Sequence, residues 1–163
     1  MKIISRSLFD DLAVKAAASP RLRTHFTLHE SDADPVQRFF VVASRRSYFR
    51  PHRHLTRSEL ALVVRGRFDV VTFDDGGRVL ARYGLGDGTD NIAYETPQGV
   101  WHTVVAVADG SAFLEVKEGP YDRATAVEFA PWAPAEGDAL AGDYLEWART
   151  AAVGAYWPIG NRA

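Results

Sequence analysis

The 163-residue chain contains no cysteine. That excludes a disulfide scaffold, thiolate zinc fingers, iron–sulfur clusters and a cysteine nucleophile. It fits a reducing compartment, so a cytoplasmic protein is expected. A large charge of either sign is also lacking. Lys and Arg number 19 against 21 Asp and Glu, a net charge of −2, which is too little for a globally basic nucleic-acid binder or an acidic tail. No hydrophobic run approaches the ~20 residues of a membrane span. The opening Met1-Lys2-Ile3-Ile4-Ser5-Arg6 reaches Asp10 and Asp11 without the apolar segment of a secretory leader. What the chain has in quantity is apolar surface: 47% hydrophobic residues, with 4 Trp, 6 Tyr and 9 Phe. This describes one domain with a real core, which at this length buries about 70% of the unfolded surface.

The periodicity divides the chain into three stretches. Residues 1–36 read as an N-terminal helix and a polar loop. Ser7 is the candidate N-cap, Leu8 and Leu12 follow helical spacing, Ser19-Pro20 stops the helix, and residues 21–35, including His25 and His29, form the loop. Residues 37–118 change to a period of two. Runs at Phe39–Ala43, Tyr48–His54, Glu59–Arg65, Phe68–Phe73, Val79–Tyr83, Ile92–Thr96, Trp101–Val107 and Ala112–Lys117 predict eight short strands. The turn residues Asp74-Asp75-Gly76-Gly77 and Asp109-Gly110 separate them. This is an all-β pattern, a sandwich or barrel. Residues 119–163 form an irregular, proline-bearing wrap, a second helix over 138–152 and an apolar tail, Tyr156-Trp157-Pro158-Ile159, able to dock.

Five histidines occur, and three fall in a pattern suited to a metal. His52 and His54 alternate on one predicted strand, roughly 7 Å apart on one face. Glu59 opens the next strand, and His102 opens a later one. Imidazole with carboxylate suits one divalent transition metal per chain (Fe, Mn, Ni, Co, Cu or Zn). Four protein ligands leave an open position on a five- or six-coordinate ion. The same alternation places Tyr48 and Arg50 on the face of His52 and His54, and Glu115 and Lys117 on the face of Phe113, with Tyr121 at the barrel mouth. Tyr48, Lys117 and Glu115 are therefore candidate catalytic acids or bases, and Arg50 and Tyr121 candidate substrate-binding residues. Trp101 turns away from His102.

The motifs carry a resemblance. His52-x-His54-x-x-x-x-Glu59-x-x-x-x-x-x-Gly66 resembles the first motif of the cupin superfamily, and Pro97-x-Gly99-x-x-His102 resembles the second. The resemblance implies a single cupin barrel (a double-stranded β-helix, jelly-roll-like) with an N-terminal helix and a C-terminal extension. It also implies that His52, His54, Glu59 and His102 bind the metal. Arg46, Asn91 and Ala106 depart from the general pattern, Asn91 at a turn position where it tolerates positive φ. Met1–Ser5, Ala18–Arg21, Pro35–Arg38, Trp101–Val105, Leu114–Asp122 and Phe129–Pro134 are similar to the WbuC-type cupin-fold metalloproteins, over about residues 1–135. That family is found alongside surface-polysaccharide genes, and its resemblance implies fold and metal but no reaction.

Arg45, Arg46, Arg50, Arg53, Arg57, Arg65 and Arg67 make a local basic stretch, suited to a small anionic molecule such as a sugar nucleotide or a sugar acid. The functional expectation is a metal site that binds or converts such a molecule. A metal-dependent isomerase or epimerase and an Fe(II) oxygenase are the candidate enzymes. The alternative is a non-catalytic ligand- or metal-sensing module. A homodimer is expected from exposed strand edges; nucleic acid ranks last, because no aromatic platform interleaves the arginines.

Overall fold

The computed structural model describes residues 1–158. Helix α1 (Arg6–Ala18) leads into strands β1 (Arg23–Thr27), β2 (Val36–Ala43), β3 (His52–Arg53), β4 (Glu59–Arg65), β5 (Arg67–Phe73), β6 (Val79–Gly86), β7 (Ala93–Thr96), β8 (Trp101–Ala106), β9 (Ser111–Glu118) and β10 (Glu128–Phe129), and then α2 (Ala141–Thr150). The strands form two antiparallel five-stranded sheets, ordered β1-β2-β9-β4-β7 and β10-β3-β8-β5-β6. This is the double-sheet cupin architecture with an N-terminal helix.

Alternation sends one set of side chains between the sheets and the other outward. Val41, Ala61, Phe68, Val104 and Phe113 fill the space between them. The outward set is covered on both sides. Helix α1 lays Phe9 and Leu12 over Phe40, Val42 and Ala112, with Phe9 and Phe40 meeting edge-on at 5.2 Å. On the other sheet Val71, Phe73, Val79, Trp101 and Val105 lie beneath Tyr144, Leu145 and Ala148 of α2. All six residues of β8 are buried for this reason.

Several expectations are corrected. The N-cap of α1 is Ser5, whose hydroxyl accepts from the Leu8 amide; Ser7 is the second residue of the helix, hydrogen-bonded to Ser5. The stretch 21–35 is not all loop. Arg23–Thr27 pairs with the whole end of β2, from Arg23 opposite Ala43 to Thr27 opposite Phe39. Its alternation is hidden by arginine, threonine and histidine, polar residues that an edge strand beside a wet cavity tolerates. His29 is buried, its Nδ1 accepting from the Arg38 amide at 2.9 Å. The predicted strand Tyr48–His54 shrinks to His52–Arg53, because Pro51 has no amide to offer a ladder. Asn91 is not in the left-handed region: among the described residues only Leu22 and glycines have positive φ. In the apolar tail, Trp157 docks against Tyr144 and Trp147 with ring centres 5.2 and 5.6 Å away; Ile159 lies outside the described residues. None of the helices among those residues is long and apolar enough to cross a membrane.

Candidate metal centre

The two sheets bring the predicted quartet together. His52 pairs directly opposite His102 in the register of β3 and β8, while Glu59 enters from β4 in the facing sheet. One donor atom from each of His52, His54, Glu59 and His102 lies within 4.8 Å of every other. The His52 and His102 rings are 4.5 Å apart, and His54 stands 5.2 Å from His52. The motif glycines belong to this frame. Gly66 takes φ +67, and a Cβ there would lie 2.5 Å from the Ser111 hydroxyl. Gly99 takes φ +80 and its amide donates to the His54 carbonyl at 2.7 Å.

Each imidazole is fixed from behind. Nδ1 of His52 lies 3.0 Å from the Arg50 carbonyl, Nδ1 of His102 3.0 Å from the Val100 carbonyl, and Nδ1 of His54 2.6 Å from the Ala126 carbonyl. A carbonyl only accepts, so all three Nδ1 atoms carry the proton. In the neutral rings every Nε2 then presents a lone pair to the same point. Nε2 of His54 is 2.9 Å and Nε2 of His102 3.7 Å from the Glu59 carboxylate. The His102 Nε2 is buried without a hydrogen-bond partner. Bare nitrogen lone pairs facing a buried carboxylate repel one another unless a cation stands among them. The residues therefore fit a divalent transition metal, with carbonyls holding the tautomers as a metal site requires. Burial, reinforced by the neighbouring His102, pushes the His52 pKa down to about 3 and keeps its nitrogen available. Burial pulls the Glu59 carboxyl up, yet the group lies well below its ordinary value, and the Lys117 charge beside it favours the carboxylate.

The quartet forms part of the wall of a cavity of about 540 Å³ between the sheets, within the size range of small-molecule sites. Beside Glu59, Lys117 places its ammonium 3.5 Å from the carboxylate and donates to Glu115. Burial and the charge of Glu59 raise the Glu115 carboxyl to about 8. Lys117 is raised too: burial lowers it, and the two carboxylates overcome that. Arg50 and Tyr121 also line the cavity, Arg50 donating to the Ala130 carbonyl at 2.8 Å. Tyr48 is not brought to the site. Its hydroxyl donates to the Pro134 carbonyl at 2.9 Å and its ring meets Tyr144. The alternation that placed it with His52 stops at Pro51.

The cavity also has walls that the sequence pattern did not reveal. His25, Arg21 and Arg23 come from the first strand region, Tyr94 from β7, and Arg123, Ala126 and Glu136 from the wrap. Glu136 accepts from both Arg21 and Arg23, which joins the two ends of the chain at the mouth. The basic stretch disperses. Arg53 pairs with Glu128, Arg65 with Asp10, and Arg57 donates to the Glu118 carbonyl. Of the seven arginines, Arg50 alone reaches the cavity.

Residues 4–85, half of the chain, match the family model described as a domain of unknown function, DUF6016. The chain belongs to this family. A comparison with curated proteins gives no match. Among solved structures, this DUF6016 protein is similar to CapF with the inhibitor 3-isopropenyl-tropolone (16% identity, 64% of this chain and 31% of that one, TM-score 0.54). It is also similar to oxalate oxidase in complex with the substrate analogue glycolate (16%, 71% and 58%, TM-score 0.52). A third is oxalate decarboxylase from Bacillus subtilis (20%, 66% and 27%, TM-score 0.51). The DUF6016 chain spans 58% or less of each of these. At these identities the likeness establishes the cupin fold.

Proposed function

We propose that this DUF6016 protein is a metal-dependent enzyme that binds and converts a small anionic molecule at the His52, His54, Glu59 and His102 centre. The observation that carries the reading is the set of three imidazoles, each locked through Nδ1 to a backbone carbonyl, with Nε2 lone pairs converging on one carboxylate. A divalent ion held there supplies a Lewis acid with positions left for a ligand. The remaining chemistry belongs to side chains. Arg50 offers the ligand a positive charge on the cavity wall. Lys117 and Glu115, in direct contact, hold a transferable proton beside Glu59, Glu115 being the acid of the pair, poised near neutrality. Supporting the anionic ligand, two proteins with this fold are named for oxalate and one holds glycolate. A sugar derivative is the proposed ligand, in keeping with the surface-polysaccharide setting of the WbuC-type proteins that the sequence resembles, and isomerisation or epimerisation is the reaction that a Lewis acid beside the Glu115–Lys117 pair would allow. A second reading, a sensor without turnover, is favoured by the absence of Tyr48 from the site, which leaves one acid–base pair. The exposed Leu60 and Val64 on β4 and Ile92 just before the neighbouring β7 support a homodimer.

Elemental analysis of protein purified without a nickel column tests the centre. About one transition-metal ion per chain is expected, and His52→Ala and His102→Ala should each lower metal affinity at least 100-fold. A chain that neither carries nor takes up metal overturns the reading. Turnover lost in Glu115→Gln, with metal content and ligand affinity retained, separates the enzyme from the sensor.

A further inference from the structure

The cavity contains two buried donors that the chain itself leaves unpaired. The Tyr94 hydroxyl and the Arg50 Nε are both inaccessible to solvent and lack a hydrogen-bond partner among the described residues, and both residues line the cavity. Leaving such a group unpaired costs on the order of 1–3 kcal/mol, so natural interiors rarely keep one unless something else satisfies it. Of the other charged groups of the cavity, Arg21 and Arg23 are committed to Glu136 and Lys117 to Glu115 and Glu59, while Arg123 is exposed at the cavity's edge.

The two donors stand on opposite walls. Arg50 precedes β3 in the sheet that carries His52 and His102. Tyr94 lies on β7 of the facing sheet, opposite Ala61 on β4. The Tyr94 ring packs against the inter-sheet core cluster that includes Ala61 and Phe113. Its neighbours in charge are carboxylates, Glu59 and Glu115, so the phenol remains a donor and calls for a neutral or anionic oxygen rather than a cation.

We infer that Tyr94 is a specificity residue that donates a hydrogen bond to a hydroxyl or carbonyl oxygen of the ligand, while Arg50, on the opposite wall, receives its acidic group. The ligand class is therefore an oxyacid, a carboxylate with a further oxygen function, rather than a simple fatty acid. This rests on the anionic ligand proposed above and adds the second oxygen and the residue that reads it.

The experiment is calorimetric titration of wild type and Tyr94→Phe with three oxyacids (glycolate, threonate and gluconate) and three unhydroxylated acids of the same chain lengths (acetate, butyrate and hexanoate). Protein is used as purified and after chelation. Wild type is expected to bind at least one oxyacid more tightly than its unhydroxylated counterpart. Tyr94→Phe, which keeps the ring and drops only the hydroxyl, should weaken that oxyacid about ten-fold and leave the counterpart, the metal content and the fold unchanged. Equal affinity in both proteins, binding of none of the six acids, or loss of metal in Tyr94→Phe each overturns the inference. Oxyacid binding that persists, with its Tyr94 dependence, in chelated protein would leave the inference standing and count against a metal role in ligand binding.

Discussion

At the scale of single residues, the site depends on which nitrogen of each imidazole bears the proton. His52 makes this visible in solution. Its folded-state pKa is depressed to about 3, first by burial, whereas the unfolded chain takes up its proton near the ordinary 6.5. The neutral ring therefore contributes stability that is complete above pH 6.5 and is lost as pH falls from 6.5 towards 3. Thermal melts of chelated protein should show Tm falling across that window, and His52→Gln should flatten the fall; parallel curves for the two proteins would refute it. The four ligands were legible in the sequence because spacing, alternation and residue chemistry agree at His52, His54, Glu59 and His102. Tyr94 was not, because a tyrosine in a strand is ordinarily core, and only the three-dimensional cavity shows its hydroxyl to be unpaired. Tyr48 was misplaced for a local reason: alternation extrapolated backwards through Pro51, where the strand had already ended.

Elements position these residues, and their junctions are where substitutions should be most damaging. Gly77 in the β5–β6 hairpin has φ +85, and a Cβ there would come within 2.7 Å of the Trp132 ring. That ring is itself held by Phe73 at 5.0 Å and Trp101 at 6.1 Å. Gly77→Ala adds backbone strain to a clash with little room to relax, so a loss of about 2 kcal/mol is expected in denaturant unfolding; a change below about 0.5 kcal/mol would show that Trp132 can shift. At the mouth, Glu136 is the shared partner of Arg21 and Arg23. Arg23 is mostly buried, and that burial lowers its pKa. Glu136→Gln removes the neutralising charge and should cost about 1–3 kcal/mol, read as a Tm drop that shrinks in Arg23→Gln/Glu136→Gln double-variant protein. Element type was readable wherever the periodicity was strong, which is why β4, β5, β8 and β9 fall close to their predicted positions. The strand β1 was hidden because four of its five residues are polar, leaving only Phe26 to pack on the apolar cluster under α1.

For the molecule as a whole, the second sheet depends on the C-terminal extension. Tyr144 is fully buried and its ring meets Tyr48, Trp147 and Trp157, yet its hydroxyl has no partner among the described residues. Tyr144→Ala should cost about 3–5 kcal/mol, whereas Tyr144→Phe, which removes an unpaired buried hydroxyl, should be neutral or stabilising. Equilibrium unfolding of the pair decides it, and a Phe variant as unstable as the Ala variant would contradict the packing described. The sequence announced this helix and an apolar tail but not their seat, since amphipathic spacing says that a face is buried without saying against what.

The joining of Arg21 and Arg23 to Glu136 also has a meaning for synthesis. All four donor side chains exist once residue 102 has been made, and the matched family segment ends earlier still, at residue 85. The carbonyl that sets the tautomer of His54 belongs to Ala126, and the mouth closes on Glu136. A chain emerging from the ribosome thus holds every donor before it can orient His54, and the finished centre depends on residues translated after all of its donors.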